Sequence, residues 1–209
     1  MSDTNDDCCD DDLLSDPKAS AAAGTIALRG FVALWNGERP AVADLTDDMV
    51  TVDALVVAGR LEVDDDARLV GVHGLVARPT AHRIEHDGGV VHTWCALDAI
   101  GIPAALAIDA VAATTCPTCG RSLRIELHAG VPVRDVADPR LWLAGGPCTH
   151  LVRDFCRYTN LYCNQEHLAA RIPKGSPGRA VTVAEVAALG RQSWRDAAAA
   201  LQQRTHGSK

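Results

Sequence analysis

Cys95 and Asp98 stand three residues apart in the stretch HTWCALDAIGIPAAL. On a helix, that spacing brings a thiol and a carboxylate to one face. A cysteine in a first helical turn feels the positive end of the helix dipole, which lowers a thiol pKa from about 8.5 toward or below neutral. For the acid, a like charge and partial burial both favour the protonated form. Such a pair can keep a proton close to a thiolate. The same four-residue pattern is also met by a buried core cysteine beside a solvated aspartate, so the remaining thiols must be weighed with it.

The chain has eight cysteines. In a reducing compartment these point to metal or thiol chemistry rather than to a disulfide framework. Cys116-Pro-Thr-Cys119-Gly120 has the form of a zinc knuckle, two sulfurs on a tight turn. A closed zinc site needs four ligands, and there is no second C-x-x-C. Cys148, His150, Cys156 and Cys163 are the candidates to complete it. A set of Cys116, Cys119, Cys148 and Cys163 would leave Cys95 and Cys156 free; a set using Cys156 would not. Pro117 and Gly120 could equally make a plain turn around a buried Cys116. A thioredoxin-like redox pair is disfavoured, because no βαβ unit surrounds the motif. Cys8 and Cys9 are adjacent within an acidic run, where they could capture a soft metal or be incidental. His82, His86 and His92 lie in the strand pair before Cys95; His86 or His92 could face the site, but surface positions are expected.

The elements that must carry these residues can be read in order. Residues 1–20 lack apolar periodicity and are expected to form a disordered acidic tail, with order beginning near Ala21. AGTIALRGFVALWNG spaces Ile26, Leu28, Val32 and Trp35 as one helix face, ending at Asn36-Gly37. PAVADL and DMVTVDALVVAGRL suggest two further helices. RLEVDDDARLVGVHGL reads as two short strands around an acidic turn. Three helices and a two-stranded wing make residues 21–76 a winged-helix-like region. Residues 77–209 open with a hairpin, HRIEH and GVVHTW, across Asp87-Gly88-Gly89. Then follow the helix of Cys95, perturbed by Gly101 and Pro103, and two paired strands, AIDAVAATT and SLRIELHAG, flanking the knuckle. TVAEVAALGRQSWRDAAAALQQ closes the chain as one helix, with Thr182 and Glu185 as a capping box. Strands and helices without βαβ alternation predict an α+β fold, a winged-helix-like region followed by a mixed or antiparallel sheet with flanking helices.

Composition narrows the function classes. The 209 residues allow one substantial core, or a small domain beside a medium one. The net charge of −7 comes from the N-terminus, since residues 1–16 hold seven aspartates and no Lys or Arg. The rest is near neutral and offers no basic footprint for nucleic acid. The would-be recognition helix DDMVTVDALVVAG has no Arg or Lys, so a winged-helix regulator is disfavoured. No run reaches the roughly 20 apolar residues of a membrane span, and the acidic N-terminus is unlike a secretory or transit peptide. Cytoplasmic residence without membrane attachment is expected.

WCALDAI, followed by a Pro-Ala-Leu helix and about 60 residues later by VRDFC, resembles the alkylmercury lyase (organomercurial lyase, MerB) family. The similarity spans about residues 21–200 and is strongest at W-C-A-L-D. It implies cleavage of a carbon–mercury bond, with Cys95 and Cys156 as the two thiolates and Asp98 as the group that takes a thiol proton and delivers it to carbon. It further implies Hg(II) held as product by these residues, no organic cofactor, and low-molecular-weight thiols or a mercuric reductase as acceptors of the metal. It also agrees with a buried, inert Cys116. Trp94, Phe155 and Tyr158 flank these residues and could wall an apolar pocket for the organic group. Arg157 and the run Tyr158–Cys163 depart from the family pattern, so Cys163 stays a competitor for the second thiolate. The other reading is a non-catalytic soft-metal or zinc-binding protein on the same scaffold, which would need thiolates but no proton donor at Asp98.

Overall fold

A computed structural model describes residues 17–133 and 138–207. The greater part of the acidic tail, with Cys8 and Cys9, lies outside the described residues.

Helix α1 (Pro17–Trp35) begins four residues before the expected start. Proline suits a first helical position, where its missing N–H leaves no bond unmade. Ile26 and Val32 are buried on its inner face, with Leu28 and Trp35 partly covered. PAVADL forms no α-helix. It makes a single 3-10 turn, Val42–Asp44, which leaves too few residues before the next cap at Asp48. That cap accepts a hydrogen bond from Thr51 N at 3.0 Å and starts α2 (Met49–Val57).

Strands β1 (Leu61–Val63) and β2 (Leu69–Val72) pair antiparallel around the acidic turn. The chain then reverses at once into β3 (Leu75–Val76). His73 and Gly74 form this two-residue turn with φ of 51° and 92°. Two successive positive φ values match the right-handed twist of a tight hairpin. Strand β3 also pairs with β5 (Gly89–Thr93), which is the partner of β4 (Arg83–His86). Strands β1 and β2, expected as a separate two-stranded wing, are therefore part of the larger sheet. With β6 (Ala110–Thr115), β7 (Ser122–His128) and β8 (Val131–Pro132), the antiparallel order is β1-β2-β3-β5-β4-β6-β7-β8. A smaller sheet has β9 (Arg140–Ala144) between β10 (Asn160–Tyr162) and β11 (Gly178–Thr182). The fold is α+β.

Helix α3 (Ala96–Leu106) is the centre of the molecule. Nearly all of it is buried, and neither Gly101 nor Pro103 interrupts it. Gly101 stands among buried Ala99, Ile100, Ile102 and Ala104, so a neighbour can approach closely at the glycine. Its main partner is α5 (Val183–Ser193). A β-carbon on Gly190 would lie 2.2 Å from the α-carbon of Gly101, so the two backbones touch where these glycines meet. Thr182 and Glu185 do form the capping box of α5. The closing segment is two helices, not one: α5 stops at Trp194, and α6 (Arg195–Gly207) follows. Trp194 is buried and its indole Nε1 donates to the carbonyl of His73 at 2.8 Å. A buried indole N–H needs such a partner, and reaching it ends the helix. A short helix, α4 (Gln165–Arg171), packs beside the small sheet with Asn164 as its cap. Among the described residues no helix is long and apolar enough to cross a membrane.

The α3–α5 crossing makes a measurable claim. Gly190→Ala should destabilise the protein by about 1–3 kcal/mol in urea unfolding, the usual cost of overpacking. Gly24→Ala, in α1 with nothing within 4 Å of the added carbon, should instead stabilise it by about 0.5–1 kcal/mol. Equal effects at both positions would refute the close crossing.

Candidate functional site

Cys95 is the N-cap of α3, with extended backbone, and Asp98 is the third residue of the helix. The Asp98 carboxylate accepts a hydrogen bond from Cys95 N at 2.9 Å, and the Asp98 N–H points back at the Cys95 sulfur. This is the reciprocal capping box, with cysteine where serine or threonine usually stands. The cap holds the thiol and the acid side by side. The His73–Gly74 turn roofs them: a β-carbon on Gly74 would sit 3.0 Å from Asp98 Oδ1.

Cys156 arrives from a different element. It ends a six-residue π-helical turn, Leu151–Cys156. One end of this turn is anchored by Leu151 N on the carbonyl of Ala58, 2.8 Å. Asp154 gathers its start, accepting from Thr149 N at 3.1 Å and His150 N at 2.9 Å. Beyond Cys156, the carbonyl of Thr159 takes the N–H of Ala96, at the first turn of α3. As a result, ligand atoms of Cys95, Asp98 and Cys156 all lie within 4.8 Å of one another. All three residues are buried, Cys95 completely. Two surface clefts lie elsewhere, one along α1 and one beside Glu85, Asp109 and Glu126.

Burial decides the protonation states. Asp98 is pushed up to about 7 by desolvation, only partly offset by hydrogen bonds from the side chain and backbone of Cys95. The helix start does not lower the Cys95 thiol as expected. Desolvation, reinforced by the Cys156 thiol and the Asp98 charge, holds it well above the usual thiol range, and the N–H of Asp98 does not compensate. The dipole effect assumes an accessible thiolate, whereas here the charged form would have no water. In the resting site, therefore, Cys95 holds its proton, and Asp98 is poised to take or give one near neutrality. A soft cation could still displace the thiol protons, because thiolate ligation releases them.

A second cluster joins Cys116, Cys119, Cys163 and His167, with ligand atoms again within 4.8 Å of one another. Cys163 thus belongs here and not beside Cys95. Cys148 is absent from both clusters: it packs half-buried against the main core, and His167 stands where the spacing had suggested it. A chain-order argument could not find His167, which lies on α4 and meets the knuckle only through the fold. Nor could it find Gly74, which meets Asp98 and Trp194 only through the fold; Asp154 bonds locally, to Thr149, His150 and Arg153, and was missed although its partners lie close in the chain. His150 completes neither cluster; it caps the π-helical turn and packs against Gly59. His82, which is buried, pairs with Thr114; His92 accepts from Thr80 N; and His86 stacks on Trp35. Trp94 and Phe155 are buried in the main core, and Tyr158 is exposed.

Comparison with known proteins follows the same outline. A family model described as MerB, alkylmercury lyase, matches residues 75–194. An alkylmercury lyase of Streptomyces lividans is 33% identical over 133 residues, covering 61% of this chain and 56% of the relative. One of Staphylococcus epidermidis is 40% identical over 68 residues, covering 32% and 31%. A third, of Pseudomonas putida, is 32% identical over 93 residues, covering 44% and 38%. The aligned part of the chain thus spans about half the length of the first of these relatives and less of the others. The crystal structure of the mercury-bound form of MerB2 superposes with a TM-score of 0.73, over 85% of this chain and 91% of that one. At 16% identity it establishes a shared fold.

The raised Asp98 pKa has a thermodynamic sign. Its folded value, about 7, lies above the unfolded value of about 3.9. Folding therefore favours the protonated acid, and this contribution to stability is full below about pH 4 and lost as pH rises to about 7. Asp98→Asn cannot ionise. Its stability relative to wild type should rise across that window, by on the order of 4 kcal/mol. Denaturant unfolding of both proteins at pH 4, 5.5 and 7 measures this, and a flat difference would mean that the carboxyl titrates normally.

Proposed function

We propose that this chain, which belongs to the alkylmercury lyase family, breaks the carbon–mercury bond of organomercurials by protonolysis, releasing hydrocarbon and leaving Hg(II) on two cysteine sulfurs. One observation carries the reading: two thiols and a single carboxyl converge, buried, with their ligand atoms within 4.8 Å of one another.

The chemistry follows from those groups. Mercury is soft and selects sulfur over oxygen or nitrogen ligands. One thiol displaces the ligand X of R–Hg–X and loses its proton with X. The second thiol gives its proton to Asp98 as its sulfur joins mercury. Two sulfurs on the metal raise its electron density and weaken the bond to carbon. Asp98 then passes the proton to that carbon, the bond breaks, and R–H departs. The balance is R–Hg–X and two thiols in, R–H, HX and a dithiolate Hg(II) out. A carboxyl of pKa about 7 suits both halves of this relay, since an acid–base group works best when its pKa lies near the working pH. Burial keeps water from competing for the proton and strengthens the electrostatics. A mercury buffer would need the two sulfurs but no acid between them, so Asp98 favours turnover over storage. On this reading the product metal is removed by small thiols or by a mercuric reductase in a reducing, cytoplasmic setting.

The decisive assay is methane or benzene release from methyl- or phenylmercury with excess thiol. Asp98→Ala should lower turnover by about 10²–10⁴-fold, the usual worth of an acid–base group, while Hg(II) still binds at Cys95 and Cys156. Cys95→Ser and Cys156→Ser should each abolish release. Wild-type turnover in Asp98→Ala would end the proton-relay role, and no release by wild type would end the lyase reading.

A further inference from the structure

We propose that Cys116, Cys119, Cys163 and His167 bind one structural zinc ion, separate from the Cys95–Asp98–Cys156 cluster. The four side chains offer three sulfurs and an imidazole, a set that suits a closed tetrahedral zinc site. With zinc–sulfur bonds of about 2.3 Å, tetrahedral sulfurs stand about 3.8 Å apart. Here Cys119 Sγ and Cys163 Sγ are 3.5 Å apart, and Cys116 Sγ lies 3.7 Å from His167 Nδ1. Little movement is needed to place an ion among them.

The surroundings are those of a built site. Cys116 and Cys119 flank the turn between β6 and β7, closed by Gly120 N on the Cys116 carbonyl at 2.9 Å. Gly120 takes φ of 73°, which glycine allows without strain. Backbone N–H groups of Thr118, Cys119 and Cys163 are directed at the Cys116 sulfur. Donors of this kind orient a ligand and stabilise its charge on the metal. Thr118 Oγ1 donates to the carbonyl of His167 at 2.7 Å, and His167 N donates to Asn164 Oδ1 at 2.9 Å, so the knuckle and the start of α4 are already fastened together. The ligands leave no position for a substrate, which makes the role structural. Binding would replace three S–H bonds by three S–Zn bonds and release three protons, with the histidine neutral.

The ion would join parts that belong to different sheets. Cys116 and Cys119 belong to the large sheet, whereas Cys163 follows β10 of the small sheet and His167 lies on α4. Cys163 is seven residues after Cys156. Fixing it therefore tethers the far end of the segment that brings Cys156 to Cys95.

The test is metal content of full-length protein made in zinc-supplemented medium and purified without chelator. One zinc per chain is expected. It should persist in the variant combining Cys8→Ser, Cys9→Ser, Cys95→Ser and Cys156→Ser, and be lost in Cys119→Ser and His167→Gln. Should those two variants not fold, cobalt(II) added to reduced, metal-free wild type decides: a thiolate charge-transfer band with tetrahedral ligand-field absorption is expected. Substoichiometric zinc without the cobalt spectrum overturns the site. So does a Cys119–Cys163 disulfide in the protein as purified, or zinc lost from the Cys95/Cys156 variant and retained in Cys119→Ser.

Discussion

The reciprocal hydrogen bonds between Cys95 and Asp98 are the constraint on which the pocket rests. An N-cap must turn its side chain back toward the helix, and a third residue with a carboxylate reaches the N-cap N–H. Those two requirements alone bring the sulfur and the acid together. Sulfur is a weaker acceptor than the hydroxyl or carboxylate oxygens that favour this position. Capping therefore gives no reason to prefer cysteine here, and the thiol has to be explained by what it can bind. The same cap sits under the His73–Gly74 turn and inside the core. Water cannot screen the acid, and its proton is held to near neutral pH as a result.

A buried acid is costly, and the architecture shows where the cost is offset. Helix α3 packs closely against α5 where Gly101 meets Gly190. The large sheet and Trp194 enclose it further. Apolar burial on this scale is the main favourable term in folding. It can tolerate one carboxyl that would otherwise ionise, and it fixes the cap rigidly enough for the acid to stay beside the sulfur.

The second sulfur depends on a longer chain of supports. The π-helical turn is anchored at Leu151 on Ala58, gathered by Asp154, and bridged through Thr159 to Ala96. Ala144 N further ties to the Thr159 hydroxyl, which links this loop to β9. Every one of these bonds joins the segment either to itself or to a region distant in sequence. Cys95 and Asp98 are placed by local geometry; Cys156 is placed by the tertiary structure. The two halves of the pocket are thus built by different means.

The sequence determined whatever depends on near neighbours. The Cys95–Asp98 pairing, the hairpin of β4 and β5, the capping box at Thr182 and the knuckle turn all follow from residues a few positions apart, where spacing fixes geometry. So did the choice of an α+β fold, since no βαβ alternation was present. Four readings failed where distant contacts intervened. His82, expected at the surface, is buried and pairs with Thr114 across the sheet. The closing helix is broken because Trp194 reaches His73. The Cys95 thiol is raised rather than lowered because the core closes over it. His167, not Cys148, joins the knuckle because the start of α4 meets Cys116 and Thr118. Spacing sets which groups can meet along a helix or turn, whereas burial and long-range pairing decide how they are charged and which partner arrives from afar. Only the folded chain could settle those last two.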